Sequence, residues 1–434
     1  MSTRSRTVRT AAVVGAGALA VTLAACSSTS GSSQQTSASA PSAAAPSTAA
    51  SSAPASPSAA PSGSPAATAP QTALIDPTTL PVTIPFTDRA NHLVVDAGFG
   101  SDATFPMMFD TGAPTNVSSD IVKQFGLQVV GSQQADAGGG KVTSDIVAID
   151  QVTMGDLKVA QVLGVAPWVD ANNPLSCITE AGLIGASAMT NAVWQIDYQA
   201  KTITVTPSTD GIDHVQGAVA IPFSMDGGTP VVTLKVGSGQ IPFGVDTGSS
   251  FGVTAGPNEL QAAGVTVPAN APKVEQRLVG AAGSVDQEVP YVTTTIDLGG
   301  KQIDYPVAAV DIIPKVGNIG NAFLSQFVVT FDFPNKTMYL DPISADGSVS
   351  ASPMPAVGLG WDGTNATVGQ VAVGSKAAKA GLKLGDVVTA ADGSPITNRD
   401  EFCTAMRKPE LKNVTTANGT FSAGPVKNFF GSAQ

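Results

Sequence analysis

Histidine and cysteine are scarce in this sequence, with two and three among 434 residues. A serine or cysteine nucleophile with a histidine base has little material to draw on, and His92 and His214 read as surface residues rather than bases. No cysteine and histidine spacing suggests a metal site, and no cofactor is implied. Cys177 and Cys403 fall in segments assigned below to different domains, which argues against a disulfide framework. Positive charge is short as well. Of the 22 lysines and arginines, Arg4, Arg6 and Arg9 belong to a leader, so 19 remain against 33 acidic residues, a net charge of −14. That balance argues against nucleic acid as a partner and for solubility outside a cell. Between Ser27 and Thr72 there is no charge and almost no large apolar side chain. Such a segment cannot bury enough surface to offset its chain entropy; it is expected to be a disordered tether, about fifty residues with a reach of roughly 40 Å.

Ahead of the tether, the three arginines precede the apolar run Ala11 to Ala25, which is too short to span a bilayer comfortably and reads as a secretory signal. The run ends in Leu23-Ala24-Ala25-Cys26, which resembles the bacterial lipobox. That resemblance implies cleavage before Cys26, lipidation of its sulfur, and an extracytoplasmic protein anchored to the bacterial cell membrane. A single acyl chain binds only marginally, so multiple acylation at this residue would make the anchor. Residues 1–25 are then a signal peptide, and residues 26–78 the lipidated cysteine and its linker.

The chain that follows repeats itself. Val82-Thr-Ile-Pro-Phe86 recurs as Val219-Ala-Ile-Pro-Phe223, and Asp110-Thr111-Gly112 as Asp246-Thr247-Gly248, at offsets of 137 and 136. Gly182-Leu183-Ile184-Gly185 recurs as Gly317-Asn318-Ile319-Gly320, and Gln195-Ile196-Asp197-Tyr198 as Thr330-Phe331-Asp332-Phe333, both at 135. Four landmarks in one order with so little drift are a duplication, with halves at 79–208 and 212–345. Short β-branched runs broken by Gly, Pro, Asn and Asp predict an all-β module in each half. Helices are expected to be few: one capped by Ser118 or Ser119 and stopped at Gly126, one opened by Pro257 and closed by Gly264, and one after each Ile-Gly over Ala186–Ala192 and Ala322–Phe327.

One Asp-Thr-Gly would be weak evidence, since most such strings are turns. Two at matched repeat positions, each after apolar residues (Met107-Met108-Phe109; Phe243 and Val245), place an aspartate at the end of a core-facing strand in both halves. Hydrolysing a peptide without metal or covalent intermediate needs a base for the water and an acid for the carbonyl oxygen or leaving nitrogen. Two carboxyls about 3 Å apart cannot both ionise, so they share one proton and supply both roles. Duplicating one half-site is a direct way to make the pair.

At these residues the chain resembles the pepsin and retropepsin group of aspartic proteases, over roughly Pro81 to Pro342. The resemblance implies two pseudo-twofold-related retropepsin-like β lobes in a pepsin-like bilobal unit, with Asp110 and Asp246 as catalytic dyad. Thr111 and Thr247 would bond across to the opposite backbone, and Gly112 and Gly248 would let amides approach the carboxylates. Ala113 and Ser249 differ; a serine hydroxyl donating to a carboxylate would favour its charged form, which predicts a charged Asp246 and a protonated Asp110. Gly138, Gly139 and Gly140 in the first half, and Gly280 to Gly283 in the second, fall where retropepsin flaps lie, although neither stretch carries a tyrosine.

Beyond Pro342, Val357-Gly358-Leu359-Gly360-Trp361, Ala377-Ala378-Lys379-Ala380-Gly381-Leu382, Gly385-Asp386-Val387-Val388 and Asp392-Gly393 resemble the PDZ domains of bacterial proteases. A PDZ-like β-barrel with short helices is expected over 350–430. A C-terminal or extended peptide would add beside Gly358, Leu359 and Gly360, next to a helix over Arg399–Arg407. The expectation is a membrane-anchored aspartic endopeptidase acting on polypeptides, its PDZ domain selecting substrates or partners. It would be monomeric, because an internal dyad needs no second chain. The rival reading is a catalytically weak surface scaffold that binds peptides in the cleft and PDZ groove, and Asn318, where the second landmark would carry an apolar residue, is the local point in its favour.

Overall fold

A computed structural model describes residues 73–137, 140–280, 282–310 and 315–431. The signal peptide, Cys26, the linker to residue 72, and Gly138 and Gly139 of the first flap lie outside the described residues. The alternation read from the sequence becomes strands with one buried and one exposed face, as in Val82–Pro85 and Thr229–Val236. The strands ending at the two aspartates are different: Met107, Met108, Phe109, Phe243 and Val245 are all fully buried. Each such side chain contributes about 1.5–3 kcal/mol of burial, which draws the strand ends into the interior.

Six strands join the halves in the order Val82–Pro85, Thr202–Thr206, Val193–Asp197, Phe327–Asp332, Thr337–Pro342 and Val219–Asp226, each antiparallel to the next. In repeat terms this order reads the same from both ends, so the seam lies on the pseudo-twofold axis. There Trp194 faces Phe331, and Gln195 Nε2 donates to Thr330 Oγ1 at 3.0 Å. Within each half, the strand ending at the aspartate runs parallel to the later apolar-glycine strand: Thr104–Asp110 with Gly182–Gly185, and Gly239–Val245 with Gly317–Ile319.

The helices follow their caps. Ser118 Oγ accepts from the Ile121 N–H to open Ser119–Phe125, and Gly126 closes it at φ 61°. Pro257 opens Pro257–Ala262, and Gly264 follows at φ 77°. The helices expected after each Ile-Gly are shorter than the sequence suggested, a 3-10 turn at Ala186–Ala188 and one turn at Asn321–Leu324. Each gives way to the strand that must cross to the other half, at Val193 and Phe327.

The C-terminal segment forms strands Val357–Trp361 and Ala366–Ala372, a small sheet of Val388–Ala391, Ser394–Pro395, Asn413–Thr416 and Gly419–Ser422, and helices Lys376–Lys379 and Arg399–Met406. It does not hang free. Ala366–Ala372 pairs with Lys273–Gly280 of the second half, Val274 opposite Ala372 and Gln276 opposite Gln370, so one sheet runs through both. Cys177 and Cys403 are disulfide-bonded with Cα atoms 5.0 Å apart, which overturns the expectation of unlinked thiols. The helix carrying Cys403 packs on the 3-10 turn Pro174–Cys177 of the first half, a proximity the linear separation of 226 residues hides. His92, expected at the surface, is 1% exposed at the start of the strand His92–Gly98, whereas His214 is exposed and its Nδ1 lies 2.6 Å from Asp341 Oδ2.

Candidate active site

The two Asp-Thr-Gly loops meet at the axis through a reciprocal set of bonds. The Thr111 N–H donates to Thr247 Oγ1 at 3.0 Å, and the Thr247 N–H donates to Thr111 Oγ1 at 3.1 Å. Each hydroxyl in turn donates to the carbonyl just before the opposite aspartate, Thr111 to Val245 at 2.7 Å and Thr247 to Phe109 at 2.8 Å. Four buried hydrogen bonds therefore fix where the aspartates emerge, and a buried donor left without a partner would cost about 1–3 kcal/mol.

Asp110 and Asp246 are 0% and 1% exposed and are hydrogen-bonded to each other through their side chains. The Gly112 N–H donates to Asp110 Oδ1 at 2.7 Å, and the Gly248 N–H to Asp246 Oδ1 at 2.9 Å. Neither glycine could carry a side chain. A Cβ on Gly112 would lie 2.4 Å from Asp246 Cγ, and one on Gly248 would lie 2.3 Å from Asp110 Cγ. The loops are clasped from outside by groups the sequence did not flag: Thr229 Oγ1 donates to the Gly112 carbonyl, Asn91 Nδ2 to that of Ser250, and Asn321 Nδ2 to that of Thr247 at 2.6 Å.

The carboxyls are not equivalent. Burial, followed by the charge of Asp246, raises Asp110 well above the ordinary carboxyl range. Asp246 is pushed up to about 6, again by burial first, and is held down from going further by hydrogen bonds, that of Asn318 foremost. Asn318 Nδ2 donates to Asp246 Oδ2 at 2.7 Å, whereas Asp110 Oδ2 is buried and receives no bond from a donor group. The asymmetry runs in the direction expected from the sequence, but its agent is different. Ser249 Oγ accepts from the Phe251 N–H at 3.3 Å, and it is the backbone N–H of Ser249 that reaches Asp246. Asn318 was visible in the repeat as a departure from Leu183; its direction was not.

The second flap stretch tops the hairpin Lys273–Gly280 and Gly283–Leu298, with Gly280 opposite Gly283 and the latter at φ 136°. Its tip reaches the first half, where Asn173 Nδ2 donates to the Gly280 carbonyl at 3.0 Å. Gly140 opens the second strand of the matching hairpin, opposite Ala137. Gly358, Leu359 and Gly360 are all buried on their strand, whose last residue Trp361 lies tilted against Phe402 of the helix Arg399–Met406 with ring centroids 5.1 Å apart. The flank of the helix Arg399–Met406 is taken up by the first half: Arg399 donates to Ser176 Oγ, and Arg407 to the Cys177 carbonyl.

Residues 95–188 match the family model described as aspartyl protease, and residues 367–416 match that of the PDZ domain. Among solved structures, the aspartic proteinase from Irpex lacteus is similar at 12% identity and a TM-score of 0.40, over 61% of this chain and 98% of that one. No curated protein matches the sequence. What the chain carries is an aspartyl protease domain followed by a PDZ domain, the make-up of an aspartic endopeptidase.

Proposed function

We propose that the protein is a membrane-tethered, extracytoplasmic endopeptidase that hydrolyses polypeptides with a water held between Asp110 and Asp246. The observation that carries this reading is the pair of buried carboxyls in mutual hydrogen-bond contact on a rigid, reciprocally bonded frame. Asp246, as carboxylate, takes a proton from the water as its oxygen attacks the peptide carbonyl, while Asp110 gives its proton to the carbonyl oxygen. The resulting diol returns a proton to Asp110, Asp246 protonates the amide nitrogen, the C–N bond breaks, and the starting protonation is restored. The pair loses its protons in two joint steps. Activity should fall on the acid side as Asp246 gains its proton near pH 6, and on the alkaline side as Asp110 loses its own.

The Leu23-Ala24-Ala25-Cys26 string supports the anchor, and the Cys177–Cys403 disulfide supports an oxidising location outside the cytoplasm. The PDZ domain would hold or position protein substrates. The scaffold reading has one observation on its side: Asp110 and Asp246 are so covered that a peptide reaches them only when neighbouring segments part. Cleavage of a denatured protein mixture across pH, by wild type, Asp110→Asn and Asp246→Asn and with a statine-type analogue, decides between them. Loss of cleavage in both variants supports the endopeptidase, and cleavage retained in either sinks it. A Cys26→Ser chain that stays with the membrane fraction would overturn the anchor.

A further inference from the structure

Repeat position and geometry together single out one side chain. Asn318 and Leu183 occupy the same place in the two halves, on the short strands Gly317–Ile319 and Gly182–Gly185 that run parallel to the aspartate-bearing strands. Leu183 faces Met108 across its strand pair and has nothing to donate. Asn318 is 3% exposed, its Nδ2 donates to Asp246 Oδ2 at 2.7 Å, and its Oδ1 is buried with no partner. An unsatisfied buried carbonyl is a cost that a leucine would not carry.

We propose that Asn318 is a positioning residue that sets the order of protonation within the pair, holding Asp246 as the carboxylate and leaving the proton on Asp110. The amide's orientation and the charge are tied together. With Nδ2 towards Asp246, the contact is a charge-assisted hydrogen bond to a carboxylate. Turned about, Oδ1 would meet that oxygen, and the contact could survive only with a proton on Asp246. Among the described residues of the elements that frame the pair, no other charged group competes. Around the pair, the strands Thr104–Asp110, Gly239–Val245, Gly182–Gly185 and Gly317–Ile319 and both Thr-Gly loops carry no titratable side chain but the two aspartates, and the charge of Asp246 acts on Asp110. Without Asn318 the Asp246 carboxylate would lose the side-chain donor that Asp110 Oδ2 lacks, and the proton would be shared more evenly.

The consequence for turnover rests on the endopeptidase reading; the consequence for protonation does not. The test is a pH titration of the aspartate side-chain carboxyl carbons by NMR in the full-length chain, with the two signals assigned from Asp110→Asn and Asp246→Asn. In wild type the carboxyl that ionises first should be that of Asp246. In Asn318→Leu its midpoint should rise by about one to two pH units, the size of a lost hydrogen bond to a charged group. In Leu183→Asn/Asn318→Leu the donor moves to the other half, and Asp110 should ionise first. A midpoint that stays within about 0.3 pH unit in Asn318→Leu, against the one to two units expected from the bond, overturns the proposal. So does Asp110 ionising first in wild type, a result that needs no variant at position 318 to fold. Asn318→Ser, with a shorter polar side chain, should give a smaller rise than Asn318→Leu, and an equal rise counts against a role for the donor. In cleavage assays the acid limb should move with the NMR midpoint; a wild type that titrates as expected yet cleaves nothing removes the endopeptidase reading and leaves this one standing.

Discussion

The two halves of the molecule were built from one template and differ where it matters. Their Thr-Gly loops exchange hydrogen bonds of nearly equal length in both directions. Above those loops, the first half offers Leu183 and the second Asn318, and among the described residues only the second half's hairpin is zipped to a strand of the PDZ domain. Backbone symmetry brings two like carboxyls together, a state unfavourable to both; side-chain asymmetry decides which of them bears the charge. A duplicated frame and an unduplicated polar group thus do different work, and each can be removed without the other.

The largest effect is expected where the symmetry is broken outright. Asp110→Asn and Asp246→Asn should each lower kcat by at least about 10²–10⁴-fold in peptide cleavage assays, since either leaves the pair short of its acid or its base. Next come the crossing threonines. Thr111→Val and Thr247→Val each strip one donor and one acceptor from buried partners, so each should cost about 1–3 kcal/mol per orphaned group in denaturant unfolding. Equal losses would bear out the twofold frame, and a clear inequality would break it. Cys177→Ser/Cys403→Ser should lower stability by about 2–5 kcal/mol in the same assay without touching the dyad.

A pH series isolates the charge. Folding raises Asp246 from 3.8 to about 6, so the stability tied to its proton is fully present below about pH 4 and is lost as pH rises through 6. That loss amounts to about 3 kcal/mol. Asp246→Asn should flatten this part of the stability profile, measured as unfolding midpoints between pH 4 and 7. The smallest effect is expected from Ala113→Ser. Because Ser249 Oγ accepts from Phe251 in the other half, adding the matching hydroxyl should shift the acid limb by less than about 0.3 pH unit, well under the effect of a charge-directed bond. A larger downward shift would return the asymmetry to the serine.

The features legible in the sequence were those written locally or repeated. The serine cap at 118, the left-handed glycine at 126 and the proline at 257 announce their helices through their own backbone preferences. The doubled landmarks placed both aspartates at the ends of buried strands. What stayed hidden depends on closure in three dimensions. Asn91, Thr229 and Asn321 act by reaching backbone carbonyls far along the chain, and asparagine and threonine do so at many positions without any pattern to mark it. The pairing of Ala366–Ala372 with Lys273–Gly280 is edge to edge, and one strand edge looks like another in sequence. The disulfide was missed because domain boundaries were taken as walls, when the PDZ helix lies against the first half.

That disulfide does more than join neighbours. By linking residue 177 to residue 403 it closes a covalent ring that contains the whole second half, Asp246 and Asn318 included. A single cut anywhere in the ring, including one the enzyme makes in itself, would open the circle without releasing a fragment. A nicked molecule should run as one band on a gel until a thiol is added, and then as two.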